Sequence, residues 1–322
     1  MCIAIVYAMR IRSALLTASL LFTACAEDHA LHPDAPTADA PTAPTSADAF
    51  WDAFLAQRYV DLPGVTAQLD ADATAHPADA WATELSAIAR LWQIAEARRD
   101  PSLTAAQIPP IALAAEHRLQ QANALLADDP LLLGRIGSLE VAIGAVLHDA
   151  TRIDAGKADL DRSVALYPEF ALFNRARIFF DLPSDPQAAD RVEDFWRKLD
   201  ACAGEPVDRT AFDLRRYLGR ATAEGPQRVC WNTPHTPHGV EGFFVYMGDA
   251  LLKRGDAASA KQIYSNARYS PQYASWPFQA LLEQRISDAD AWAARLTDAD
   301  PSNDPVLINA SATACASCHA AR

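Results

Sequence analysis

Residues 240 to 271 read VEGFFVYMGDALLKRGDAASAKQIYSNARYSP, and the fold class turns on their spacing. Phe244, Met247, Gly248 and Leu251 recur at three- and four-residue intervals, the period of one helix face. Gly255-Asp256 interrupts the pattern as a turn does, and Ala260, Tyr264 and Ala267 resume it before Pro271. The stretch predicts two helices joined by a short turn. A second window, 140 to 168, offers Ile143, Gly144, Leu147, Gly156, Leu160, Ser163 and Pro168 in the same register. Gly144 and Gly248 are 104 residues apart, close to three periods of roughly 34 residues, so degenerate units are expected between them.

Outward from these windows the same period continues. Segments of helical spacing lie at about 49–59, 79–99, 108–127, 132–149, 155–167, 169–181, 186–202, 208–221, 240–254, 257–269 and 277–296, and none has a period of two. Ala makes up about a fifth of the 322 residues against 12 Gly, which favours helices over strands. Both windows resemble tetratricopeptide repeats, in which small residues sit where two helices cross and Pro closes each unit. The resemblance implies an all-α, tetratricopeptide-like α-solenoid of helix hairpins over residues 49–300, with a concave groove that takes a protein or peptide partner. A compact helical bundle is the competing architecture. Trp51, Trp81, Trp92, Trp196 and Trp276 stand at helical spacings and read as core.

The first 24 residues read as an export signal. Arg10 and Arg12 precede an apolar run of about ten residues, too short to span a bilayer, and Met9 makes a better start than Met1. Leu21-Phe-Thr-Ala-Cys25 resembles the lipobox of bacterial lipoproteins, which implies acylation of Cys25. Ala26 after that cysteine implies, by the same resemblance, the outer membrane, facing the periplasm. The alternative is a secreted protein cut after Ala24. Residues 25–48 carry Ala, Pro, Thr and Asp with almost no large apolar side chain, the composition of a disordered linker. The membrane is thus expected as a partner through lipid alone. With 41 acidic against 28 basic residues the net charge is −13, a field that repels nucleic acid.

The segment 301–322 contains Cys315-Ala-Ser-Cys318-His319, the attachment pattern of c-type haem. There two thiols add to the porphyrin vinyl groups and the imidazole binds iron, so Cys315 and Cys318 are candidate thioether sites and His319 the proximal ligand of haem c. In the cytochromes c the motif opens a small domain, whereas here three residues follow it, so a pocket must come from the upstream helices or another chain. Candidate distal ligands are His235 and His238, held in the Pro-rich stretch Trp231-Asn-Thr-Pro-His-Thr-Pro-His-Gly239, and Met247. Solvent-facing histidines and a packed methionine are the alternatives. A simple disulfide or free dithiol competes for Cys315 and Cys318.

Cys202 and Cys230 remain. In an oxidising compartment they are expected to pair, with reactive thiols as the other reading. No phosphate-binding Gly loop, nucleophile elbow or zinc-peptidase helix occurs, so no catalytic residue is assigned. Two functions follow: a haem-bearing lipoprotein for electron transfer or haem-dependent docking, and a redox-inert scaffold, such as a transporter-associated component, with a terminal disulfide.

Overall fold

The computed structural model describes residues 45–56, 58–97, 103–180, 188–222, 224–231, 240–298, 300 and 302–308. The proposed signal, lipidation site and most of the linker, and residues 309–322, lie outside these. Among the described residues there are eleven α-helices, short 3₁₀ turns and no strand. They are α1 (Ser46–Leu55), α2 (Leu62–Ala75), α3 (Ala80–Glu96), α4 (Ile108–Leu125), α5 (Pro130–Leu147) and α6 (Ala150–Leu166) in one unit. A second unit, from Tyr167 onward, holds α7 (Pro168–Phe180), α8 (Ala188–Ala203), α9 (Val240–Lys253), α10 (Ala257–Asn266) and α11 (Gln279–Leu296). Within each unit, helices adjacent in sequence are adjacent in space, most extensively in the pairs α3/α4, α5/α6, α7/α8 and α9/α10. The next-but-one pairs α1/α3 and α9/α11 also touch, as in a row of hairpins.

Aspartates mark where helices begin. Asp79 accepts from the Ala82 amide, Asp129 from Leu131 and Leu132, Asp149 from Arg152 and Asp256 from Ser259, at 2.9 to 3.1 Å. Each satisfies amides the first turn cannot pair, worth about 1 kcal/mol per cap. Thr45 and Asp48 form a reciprocal capping box on α1. Two expectations fail here. Residues 62–75 form a helix that the spacing did not announce; Leu62, Val65, Leu69 and Ala73 make its buried face, a stripe thinned by Pro63, Gly64, two aspartates and two threonines. Residues 208–221 are not one helix but contain 3₁₀ turns at Leu214–Arg216 and Leu218–Arg220. Asp208 captures the Thr210 and Ala211 amides, Asp213 captures that of Arg215, and Asn266 of α10 accepts from Leu214, so side chains occupy groups a helical ladder needs.

In the first unit Phe50 and Phe54 pack edge-on against Trp92, and Trp51 stacks on the half-buried Trp81. Glu84 of α3 and Arg135 of α5 form a fully buried ion pair. The α5/α6 hairpin is the tightest. A methyl placed on Gly137 would lie 2.5 Å from the Gly156 carbonyl, and one on Gly156 2.6 Å from that of Gly137. The shared register of the two repeat windows does not extend to the crossings. His148, left-handed at φ 56°, closes a turn so short that α6 starts at Ala150, and Leu160 faces Gly137 rather than Gly144. In α9/α10 the Tyr264 ring lies directly on Gly248. α5 is long and apolar enough to cross a membrane, yet most of it is buried against its neighbours, as a central helix requires.

Candidate functional site

Two stretches singled out by sequence, 232–239 with His235 and His238, and 315–319 with Cys315, Cys318 and His319, lie outside the described residues, as does Cys25. What the structure describes is how the second unit holds the chain on either side of the first stretch and ahead of the second.

The approach to 232–239 is braced. Cys202, in the last turn of α8, and Cys230 form a buried disulfide with Cα atoms 5.6 Å apart. The next residue, Trp231, takes a left-handed backbone at φ 49°, sparsely allowed for a bulky side chain. Its indole stacks on Tyr217 at 5.1 Å, and Tyr217 stacks on Phe212 at 5.6 Å. The Trp231 Nε1–H is buried with no hydrogen-bond partner among the described residues. On the far side Val240 opens α9, whose N-terminal turn is tied down where Ser270 donates to the buried Glu241 carboxylate. Phe243 and Tyr246 continue inward to Phe173 of α7, and Phe243 also meets Phe195 of α8. Met247, weighed as an iron ligand, is fully buried in this helix.

The approach to the terminal motif is braced by charge. Asp249 on α9 is wholly buried. Its Oδ1 accepts from the Tyr264 hydroxyl at 2.5 Å and pairs with Arg285 Nε at 2.8 Å; its Oδ2 accepts the Ile308 amide at 2.6 Å. Arg285, on α11, also donates to the Val306 carbonyl at 3.1 Å and lies over the Trp292 ring at 4.1 Å. Burial pushes the Asp249 carboxyl above its ordinary range against the opposing pull of Arg285, Tyr264 and the Ile308 amide. Burial and the adjoining carboxylate push Tyr264 well above 10, which keeps it a donor. Sequence reading missed this cluster because Asp249, Tyr264, Arg285 and Ile308 share no local motif. Among the described residues no three His, Cys, Asp or Glu side chains converge as metal ligands would.

Comparison with protein-family models, with curated proteins and with solved structures finds no match to this chain.

Proposed function

We propose that the protein is a periplasm-facing lipoprotein of tetratricopeptide-like hairpins, anchored to the outer membrane through Cys25, that carries one covalent haem c on Cys315 and Cys318 with His319 as proximal ligand. Its role is electron transfer or haem-dependent docking of a protein partner. The observation that carries this reading is the Cys-x-x-Cys-His pattern in a chain that opens with an export signal, since covalent haem attachment and export share a compartment.

Connectivity supports a pocket built within the second unit. Cys315 is seven residues beyond Ile308, a reach of at most about 25 Å. Asp249, to which Ile308 is bonded, is nine residues along α9 from Val240, roughly 14 Å of helix, and His238 is two residues before Val240. From Tyr167 to the end, the histidines are His235, His238 and His319, and the one methionine, Met247, is occupied by packing. A distal ligand of His or Met type from this unit is therefore His235 or His238. The Trp231 N–H beside that stretch has no hydrogen-bond partner among the described residues, and a carboxylate such as a haem propionate would satisfy it.

Co-expression with the c-haem maturation machinery tests the reading. Peroxidase staining of the denatured band and a pyridine haemochrome spectrum should report one haem per chain, absent from a Cys315→Ala, Cys318→Ala variant. Colourless wild-type protein would leave the redox-inert scaffold as the function. With haem attached, a His235→Ala or His238→Ala change should move the Soret band, and no movement in either removes the pair as ligands.

A further inference from the structure

The strongest feature outside the motif itself is the way residues 304–308 are held. Arg285 donates to the Val306 carbonyl and Asp249 accepts the Ile308 amide, so one ion pair holds the irregular tail through a donor and an acceptor two residues apart. The Ile308 side chain is fully buried and Leu307 nearly so, while Val306 is exposed. The two bonds and the two buried side chains together fix which residues of the tail occupy this place.

The dependence runs both ways. A buried carboxylate persists only when paired and hydrogen-bonded. Oδ1 of Asp249 is filled by Tyr264 and Arg285; the close partner of Oδ2 comes from the tail, with Arg285 more distant at 3.4 Å. We propose that Asp249 and Arg285 are positioning residues that clasp the chain at Ile308 and thereby set the point from which Cys315, Cys318 and His319 emerge. This role rests on the covalent haem reading. Without the clasp the tether to Cys315 would run from Asn303, whose carbonyl Arg295 of α11 holds, and be 12 residues long instead of seven. Effective concentration falls as about the −3/2 power of tether length, so the clasp raises that of the motif near the second unit roughly twofold.

The test compares matured full-length protein with a Leu307→Ser, Ile308→Ser double variant and with Ile308→Val. Amide hydrogen exchange is followed at 304–308 and in α9–α11, and the haem is read by reduction potential and by the share of its low-spin signal. In the wild type and Ile308→Val, the Ile308 amide should exchange more slowly than a free peptide by about a hundredfold or more. The double variant should lose that protection, keep its haem content and helix protection, and show a shifted potential and a smaller low-spin share. If the double variant loses its helical signal, Ile308→Ala takes its place with the same measurements. A wild-type Ile308 amide exchanging at the free-peptide rate overturns the clasp. A released tail with unchanged potential and low-spin share overturns its positioning role. Absence of haem from the wild type overturns the haem reading instead, so the two failures are told apart.

Discussion

A methyl group on Gly248 would enter the ring of Tyr264, which is itself buried and bonded to Asp249. Overpacking of this kind costs about 1–3 kcal/mol, against a gain of up to about 1 kcal/mol in helix propensity, so Gly248→Ala should lower stability by roughly 1–2 kcal/mol. Gly137→Ala should cost more, since its methyl meets a backbone carbonyl that has no rotamer to adjust. Gly64, exposed in α2 with open space around it, should instead gain about 0.5–1 kcal/mol on the same change. Urea unfolding of the three variants checks the order. Charge offers a second test. Burial, then the neighbouring carboxylates of Asp159 and Glu116, raises the Glu140 pKa above 4.5, and one Glu140 oxygen is buried with no hydrogen bond among the described residues. A raised folded-state pKa penalises the ionised form: the stability Glu140 contributes is fully present below 4.5 and is lost as pH climbs through the folded value. Glu140→Gln should therefore stabilise the protein at neutral pH, by about 0.5 kcal/mol once its half-exposed setting is discounted. The difference should vanish near pH 3, as urea midpoints at both pH values would show.

The elements were legible where the apolar stripe is dense and an Asp or Pro marks the start. Hairpins α3/α4, α5/α6 and α9/α10 fall near their expected places for that reason. α2 was hidden because Pro63 and Gly64 resemble loop residues, although Pro within the first turn of a helix costs nothing. The stretch 208–221 misled in the opposite direction: its apolar residues Phe212, Leu214 and Tyr217 are buried, but as a turn stapled between α8 and α10. The Cys202–Cys230 bridge across this region closes a loop of 28 residues, worth about 3–4 kcal/mol in the chain-entropy model. Both sulfurs are buried, so reductant alone should act slowly on the folded protein. Cys202→Ala, Cys230→Ala should shift the denaturant midpoint by a corresponding amount, with the α5/α6 amides keeping their exchange protection.

For the molecule as a whole, the proposed lipid anchor predicts a release that leaves folding untouched. Cys25→Ser should release the protein from membranes into the soluble fraction with its helical spectrum unchanged, and the mass of the mature N-terminus should then lack acyl chains. The candidate site was legible in part: five terminal residues and two histidines name a chemistry by local spacing. Their bracing was not legible, because Trp231 depends on Tyr217 and on a disulfide to α8, and Ile308 on a carboxylate 59 residues earlier. By itself the sequence determined the all-helical class, most hairpin boundaries and the motifs at the two ends, all of which follow from patterns a few residues long. Only the tertiary structure decided which glycines bear the close crossings, that 208–221 is not a helix, and that the tail is bonded at Ile308. Each of these depends on partners brought together by packing, and a local pattern cannot specify which distant group will fill a buried donor, acceptor or cleft.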